Sequence, residues 1–377
     1  MVFAMWILVC LPLLPLGTLP SVEWDAKTVR LVAEGGDYGR IVRLHDGRTA
    51  SVFDRQRKMW FQAGDASATK WDPPVLVAED PDCWLTNAEL LVLRDGTMLY
   101  FWDERPLEAV RRQREKLPPG ALTRPFRIRL ARSRDGGRTW TVPTTVHTAG
   151  PLFGDGCWEP AAIQLPSGEV QVYFADESLF TKSNEQEIAR RCSRDAGATW
   201  GPAERVSLRD RHRDGMPAPL ILADGTIVVA VEDDGLSGDF KPAIVRVSPA
   251  VGAAPEVVDG ASPNRWGALA KPLPAWWYAG APCLRRLPSG LTLLSYQESA
   301  FGGLARCRMA VCVGDRHARN FTNKTYPLPL GPRGNQAWNS LFVKDEKTIT
   351  AVLTATVNGV RGTWAVDGRL QTETNCP

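Results

Sequence analysis

Apolar and polar residues alternate in short stretches along this chain, and each stretch is followed by a tight turn and a second alternating stretch. The clearest copy is AIQLPSGEVQVYFADE, at residues 162–177. Alternation with a period of two, in segments rich in Val, Ile, Tyr and Phe, predicts β-strands, and the Pro-Ser-Gly sequence at 166–168 predicts the turn of a hairpin. The chain is therefore expected to fold from antiparallel hairpins.

Six copies of this hairpin share the 377 residues. Their turns are centred, at intervals of 49 to 72 residues, on Gly47, Gly96, Gly168, Gly225, Gly290 and Glu346. A repeat of roughly 59 residues suits one four-stranded antiparallel blade of a propeller, and the β-branched, period-two composition excludes a helical repeat. The sequence predicts an all-β, six-bladed β-propeller, in which the strand at 28–33 completes the last blade and closes the ring.

Two segments carry a sharper pattern. Residues 133–140 and 193–200 both fit S-x-D-x-G-x-T-W, and a degenerate third copy ends at Trp71. In such a turn the Asp accepts backbone N–H groups, the Gly adopts a left-handed conformation and the Trp packs between neighbouring sheets. The pattern is the Asp-box, or BNR repeat, and resembles propellers of the sialidase type. We expect a structural role for Asp135 and Asp195.

The N-terminal segment differs in composition from the rest. Residues 2–20 carry no charge, and the first charged side chain is Glu23. We interpret residues 1–22 as a signal peptide and residues 25–377 as a propeller catalytic domain in a secreted, extracellular protein; the alternative is a retained membrane anchor. Of eight cysteines, seven would remain after removal of the leader, enough for up to three disulfides whose pairing the spacing does not determine.

The charge balance limits the partners. A net charge of +3 comes from 45 basic and 42 acidic residues that are interspersed along the chain. No basic patch points to a nucleic-acid partner. We expect a monomer that has no membrane association once the leader is removed.

One insertion departs from the strand pattern. Pro106 followed by Leu107 and Val110 at helical spacing, before the Pro-Pro-Gly at 118–120, predicts a short basic helix within residues 106–125. The insertion is either solvated or a lid over the pocket.

In a propeller the first strand of each hairpin lines the central channel, so the start of that strand and the end of the next meet at one mouth. Carboxylates paired across a cleft are what glycoside hydrolysis uses, one protonated to assist the leaving oxygen and one ionised as nucleophile or base, while Trp and Tyr faces hold the sugar rings. For a single acid the alternative is a turn cap or a salt bridge. Counting from each turn, the mouth is expected to collect Arg40, Asn87, Glu89, Trp102, Asp103, Glu104, Trp158, Glu159, Asp176, Glu177, Arg213, Met216, Glu232, Asp233, Tyr296, Gln297, Glu298, Trp338 and Asn339.

Among these acids, Glu159 stands between Trp158 and Pro160, and partial desolvation there is expected to raise its pKa. The four histidines are isolated in the sequence. No Ser-His-Asp order, phosphate loop or metal-ligand spacing competes with the acids, so neither a metal nor a cofactor is expected.

Several motifs resemble glycoside hydrolase family 93, the secreted six-bladed exo-arabinanases. They are WEP at 158–160, YFADES at 173–178, RDGMP at 213–217, AVEDDG at 230–235, the stretch 281–299 and AWNSLF at 337–342. The resemblance implies a retaining mechanism with Glu159 and Glu232 as the catalytic pair, Glu159 as nucleophile and Glu232 as acid/base. Substrate-binding residues would be Arg40, Asn87, Trp158, Asp176, Glu177, Arg213 and Tyr296.

These features together predict an exo-acting glycoside hydrolase that cleaves a neutral, arabinan-like carbohydrate. One alternative is an exo-α-sialidase, although Arg40-Ile41-Val42 lacks the Pro of the Arg-Ile-Pro motif of sialidases and an acid-rich mouth disfavours an anionic sugar. Another alternative is a non-catalytic carbohydrate-binding propeller.

Overall fold

Six antiparallel sheets form a closed ring in the computed structural model, which describes residues 19–118, 120–247, 256–329 and 335–371. Five sheets have four strands and the sixth has five. The innermost strand of each sheet contacts the innermost strands of both neighbours. The predicted all-β, six-bladed propeller with antiparallel blades is therefore confirmed.

The strands are numbered in chain order. Strands β1 (Ser21–Trp24) and β2 (Arg30–Glu34) precede blade 1, which contains β3 (Asp37–Arg43), β4 (Thr49–Arg55), β5 (Lys58–Gly64) and β6 (Val75–Ala78). Blade 2 contains β7 (Cys83–Val92), β8 (Met98–Pro106), the helix α1 (Leu107–Arg111), β9 (Arg127–Ser133) and β10 (Thr144–Thr148). Blade 3 contains β11 (Cys157–Gln164), β12 (Val170–Asp176), β13 (Glu187–Ser193) and β14 (Glu204–Ser207). Blade 4 contains β15 (Asp214–Ile221), β16 (Ile227–Asp233), β17 (Lys241–Val247) and β18 (Arg265–Gly267). Blade 5 contains β19 (Tyr278–Arg286), β20 (Thr292–Ser299), β21 (Arg308–Gly314) and β22 (Thr322–Thr325). Blade 6 contains β23 (Ala337–Val343), β24 (Thr348–Val357) and β25 (Val360–Gln371), and short 3₁₀ turns lie at Ala26–Thr28 and Phe153–Asp155.

The first and last described strands complete blade 6. Strands β1 and β2 pair with β25, which confirms the closing role predicted for the strand at 28–33. Because Ser21–Trp24 is part of this sheet and Val22 is buried, the propeller begins four residues before the predicted residue 25. The rest of the predicted leader, residues 1–18, lies outside the described residues.

The blades are held together by apolar side chains that alternate along each strand and interlock between sheets. The helix α1 confirms the short helix predicted in the insertion. No helix among the described residues is long and apolar enough to cross a bilayer. The six described cysteines are free thiols.

The Asp-box turns have the expected hydrogen bonds. Oδ1 of Asp135 accepts from the N–H of Thr139 at 3.0 Å, and the hydroxyl group of Ser133 accepts from the N–H of Gly137 at 2.9 Å. Trp140 packs against Phe61 of blade 1, with ring centroids 5.4 Å apart. These turns therefore join neighbouring blades, as predicted.

The predicted degenerate copy is also present, and a further one was missed. Oδ1 of Asp65 accepts from the N–H of Thr69 at 2.7 Å, ahead of Trp71. Asp315 makes the same bond to the N–H of Arg319 at 2.9 Å. In both turns the aromatic residue follows the Asp by one position more than it does in the S-x-D-x-G-x-T-W pattern.

Each inner strand is interrupted by a β-bulge at the same height, and one non-glycine residue of each bulge has a φ between +49° and +59°. We call these six residues the bulge ring: Tyr38, Asn87, Glu159, Met216, Ala281 and Trp338. The side chains of Tyr38, Met216, Ala281 and Trp338 pack together across the axis. The bulge ring therefore forms a floor beneath the mouth. A left-handed non-glycine residue costs roughly 1 kcal/mol or more, and such strain is concentrated at functional sites.

Candidate active site

Glu159 is the bulge-ring residue of β11, with a φ of +54°. Its Oε2 atom accepts a hydrogen bond of 3.3 Å from the backbone N–H of Met216, on the neighbouring inner strand β15. Burial, and then the charge of Glu232, raise the pKa of Glu159 to about 8, while Arg105 opposes the shift. The raised pKa predicted from the apolar neighbours in the sequence is confirmed in direction.

Glu232 lies on β16, opposite Gly215 of β15. Its Oε2 atom accepts from the N–H of Ala281 at 2.8 Å. Two glycines make room for this carboxyl group, because a Cβ on Gly215 would lie 2.9 Å from Oε1 and a Cβ on Gly280 would lie 2.3 Å from Oε2. Burial raises the pKa of Glu232 to about 7, although the N–H of Ala281 and the charge of Arg213 oppose the shift.

The two glutamates approach the same segment of β15. Glu159 binds the N–H of Met216, while Glu232 lies against Gly215. Because the pKa values are about 8 and about 7 and the charge on Glu232 raises the pKa of Glu159, the pair holds one proton between these two pH values. One carboxyl group can then act as an acid and the other as a nucleophile or base.

Arg105, at the end of β8, is a charged residue of the site that the sequence analysis missed. Its guanidinium group donates to the carboxylate of Asp103 and, at 2.5 Å, to Oδ1 of Asn87. It lies 4.9 Å from the ring centroid of Trp158. Burial raises the pKa of Asp103 to about 6, and Arg105 opposes this shift. Arg105 thus brings a positive charge close to Glu159.

Tyr278, the first residue of β19, was also missed. Its Oη atom accepts from Nε2 of Gln297 at 3.2 Å, and Oε1 of Gln297 accepts from the N–H of Trp338 at 2.8 Å. A backbone N–H can only donate, so the amide of Gln297 is fixed and the phenol must accept from its NH₂ group.

The phenolic O–H of Tyr278 is therefore free to donate elsewhere. It has no acceptor within hydrogen-bond distance in the part of the chain that the structure describes. The phenol oxygen and Oε2 of Glu232 both lie within 2.4 Å of the position of a Cβ on Gly280, so the two oxygens are neighbours. Tyr38 stacks on Trp338 close by, with ring centroids 4.4 Å apart.

Glu177 and Arg213, two of the predicted substrate-binding residues, lie together beside Glu232. Arg213 donates to the carboxylate of Glu177 and, at 3.0 Å, to the carbonyl of Asn184. Nε2 of Gln186 donates to Glu177 at 2.9 Å. Glu177 therefore orients Arg213, whose charge acts on Glu232.

Arg40 and Asn87 lie at different depths. Asn87 belongs to the bulge ring, at the floor of the mouth. Arg40 lies two residues past Tyr38 on β3, inside the channel, with Nε 3.4 Å from Oε2 of Glu89. The structure therefore places Arg40 beneath the floor, away from the predicted mouth.

The structure buries three of the predicted substrate-binding residues, Tyr296, Asp176 and Trp158. Tyr296 is fully buried between blades 4 and 5. Asp176 is 4% exposed and lies 2.9 Å from Nε2 of His147 in blade 2. Trp158 is 5% exposed and its ring packs on Phe126. Successive residues of a strand point to opposite faces, and the sequence analysis had taken whole strand ends.

One group of side chains in the described part of the chain could hold a metal ion: Asp80, Cys83 and Glu104. Asp80 is already paired with Arg124, and Glu104 with Arg127 at 3.0 Å. These arginines compensate the charges of the two carboxylates.

The ring of blades and the Asp-box turns define a class of protein, the sialidase-type propellers. In agreement, a model of the BNR repeat-like domain family matches residues 123–256. No curated protein matches the chain.

Solved structures share this fold across the whole ring. The family 93 α-L-arabinofuranosidase of Fusarium graminearum, in complex with arabinobiose, has a TM-score of 0.65 and 18% identity, over 93% of this chain and 97% of that chain. The α-L-arabinanase of Penicillium chrysogenum, also with arabinobiose, has a TM-score of 0.61 and 15% identity, over 95% and 99% of the chains. A mutant of the NanB sialidase from Streptococcus pneumoniae has a TM-score of 0.56 and 11% identity, over 90% and 70%. The resemblance to family 93 stated from the sequence therefore extends to its fold.

Proposed function

We propose that this protein is an exo-acting glycoside hydrolase that cleaves a neutral, arabinan-like carbohydrate by a retaining mechanism, with Glu159 and Glu232 as its catalytic pair. The observation that carries the proposal is the geometry of the pair, in which the carboxyl groups of two half-buried glutamates flank Gly215 and Met216 and share one proton near neutral pH. We also propose that the protein is secreted, on the basis of the uncharged segment 2–20.

The reaction takes two steps. In the first, the neutral carboxyl group gives its proton to the glycosidic oxygen as the ionised carboxylate attacks the anomeric carbon, so the bond to the leaving sugar breaks and a glycosyl ester forms. In the second, the group that lost its proton takes one from water, and the resulting nucleophile displaces the ester. Both carboxyl groups return to their starting states, and the anomeric configuration is retained.

The roles of the two glutamates within the pair stay a prediction. The resemblance makes Glu159 the nucleophile and Glu232 the acid/base. The pKa values, about 8 for Glu159 and about 7 for Glu232, are too close together to assign the shared proton to one of the two residues.

The charges around the pair support a neutral substrate. Asp103, Glu159 and Glu232 face two arginines, Arg105 and Arg213, and each arginine is already bound to a carboxylate. The charges of these arginines are thereby compensated, and the half-buried ring of Trp338, which stacks on the buried Tyr38, suits a sugar ring. The arabinobiose bound by the two structural relatives agrees with such a ligand.

A substrate panel tests this function. The protein is incubated with linear arabinan and with a fluorogenic sialoside, and the products are separated by chromatography. Release of a short arabinose oligomer from chain ends supports the proposal. Release of sialic acid would instead support the sialidase alternative, and saturable binding of arabinan without turnover would support a non-catalytic propeller.

A further inference from the structure

The central channel continues below the bulge ring as a cavity of about 510 Å³. Asn87, Glu159 and Met216 lie at its inner end, and the hairpin turns lie at its outer end. Most of the wall between them is apolar, with Ile163 and Leu220 as examples. This cavity opens on the face of the propeller opposite the mouth.

Three charged side chains interrupt the apolar wall between Glu159 at the inner end and Arg43 and Arg286 at the outer end. Arg40 and Glu89 form an ion pair at 3.4 Å, and Arg285 lies close enough to Glu89 for their charges to interact. Two positive charges thus face one negative charge. Low-dielectric walls strengthen the resulting field in the channel.

The two guanidinium groups have donors to spare. A guanidinium group has five N–H donors. Arg40 uses one on the carbonyl of Gly39 at 3.1 Å and directs another at Glu89. Arg285 uses two, on the carbonyls of Leu341 at 3.0 Å and Leu284 at 2.9 Å. The remaining N–H groups of both residues have no protein acceptor among the described residues.

We propose that this channel binds a small oxyanion, with carboxylate or phosphate oxygens, between Arg40 and Arg285. Guanidinium groups bind such oxygens through paired N–H donors, and a single anion would balance the excess positive charge. Arg43 and Arg286 line the outer part of the cavity and would draw an anion toward it. The anion site lies beneath the floor of the mouth, and Glu159 at the inner end of the cavity separates it from the mouth.

Titration with inorganic phosphate tests the site. Isothermal calorimetry at constant ionic strength, adjusted with sodium chloride, should show saturable binding of one phosphate per chain, and the melting temperature should rise with phosphate concentration. Arg285→Gln keeps a donor for Leu341 and should weaken binding at least tenfold. Arg211→Gln removes the same charge from an exposed side chain and should bind as the wild type does.

Leu220→Trp provides a second measurement, because a larger side chain on the wall fills the channel without removing a charge. Leu220→Trp should also weaken phosphate binding. If Arg285→Gln does not fold, the phosphate affinity of Leu220→Trp is the test of the site. The proposal is overturned if phosphate gives no saturable signal in the wild type, or if the folded variants at positions 285 and 220 bind it as tightly as the wild type.

Discussion

Glu159 and Glu232 each keep a carboxyl group in surroundings that disfavour its charge. Each has one backbone N–H as a partner, from Met216 at 3.3 Å and from Ala281 at 2.8 Å. A carboxylate held by two or three such bonds would have a low pKa. A single bond leaves burial dominant, so both groups titrate near neutral pH.

The first prediction is the pH dependence of activity. Below the lower pKa, about 7, both carboxyl groups are protonated and no nucleophile exists; above the upper pKa, about 8, both are ionised and no acid exists. A plot of kcat/KM against pH should therefore be bell-shaped, with its maximum between these values. Full activity at pH 5 would contradict the assignment of the pair.

The second prediction concerns Tyr278, whose O–H lies beside Glu232 and has no acceptor among the residues that the structure describes. Tyr278→Phe removes this donor from the bound sugar and should lower kcat/KM by about tenfold to a hundredfold, with the fold intact. Tyr296→Phe is the matched control, because Tyr296 is buried between blades on the next strand. Equal kinetics for the two variants would show that Tyr278 does not contact the substrate.

At the scale of single elements, the bulges of the inner strands build the site. Each bulge turns one residue into a left-handed conformation, and at Met216, Ala281 and Trp338 the N–H of that residue donates to a side chain of the preceding blade. The side chains that receive these bonds are Glu159, Glu232 and Gln297. The β-bulges of the inner strands thus orient the carboxyl groups of Glu159 and Glu232 and the amide group of Gln297.

The third prediction tests the space beside this element. Gly280→Ala would place a Cβ 2.3 Å from Oε2 of Glu232 and 2.4 Å from Oη of Tyr278, so at least one side chain must move. Activity should fall at least about tenfold, since small displacements of catalytic groups are costly. Gly154→Ala is the control, because its Cβ would meet nothing within 4 Å. Unchanged kcat/KM in Gly280→Ala would show that Glu232 tolerates displacement.

The sequence predicted the hairpins well but not the bulges. Turn residues and period-two alternation located all six blades, and Glu159 and Glu232 were assigned to the mouth because of their positions near strand ends. A bulge adds one residue to the inner strand and has no sequence signature of its own here, since Tyr, Asn, Glu, Met, Ala and Trp all occupy it.

The directions of the side chains near the bulges therefore could not be predicted from the sequence. Tyr296 was chosen although its neighbour Gln297 faces the site, and Arg105 and Tyr278 were passed over at the ends of their strands. A search for polar side chains at the start of β19 and at the end of β8 would have found Tyr278 and Arg105.

At the scale of the whole molecule, the closed ring brings distant parts of the chain together. The first and last described strands meet in blade 6, where β1 and β2 pair one after the other with the outer edge of β25. Nε1 of Trp24 donates to the hydroxyl group of Thr325 at 3.0 Å, so β1 also ties blade 6 to blade 5. The geometry of the mouth depends on this closure, because the catalytic pair and its partners come from different blades.

The fourth prediction compares two deletions. Removal of residues 1–24 takes away β1, including the buried side chain of Val22, which contributes about 1.5–3 kcal/mol. Removal of residues 1–18 leaves β1 in place. The longer deletion should lower the melting temperature by a few degrees relative to the shorter one, measured by calorimetry. Equal melting temperatures would show that β1 does not secure the ring.

The central claim is that two glutamates from adjacent blades cleave a glycosidic bond together, and their replacement by glutamine tests it most directly. Glutamine keeps the shape of the side chain but can neither donate the required proton nor attack. The measurement is kcat/KM of Glu159→Gln, Glu232→Gln and the exposed control Glu346→Gln, at the hairpin turn of blade 6, on the substrate that the wild type hydrolyses. We expect both site variants to lose about 10³-fold or more and the control to match the wild type. Near-normal turnover by either site variant would contradict the account.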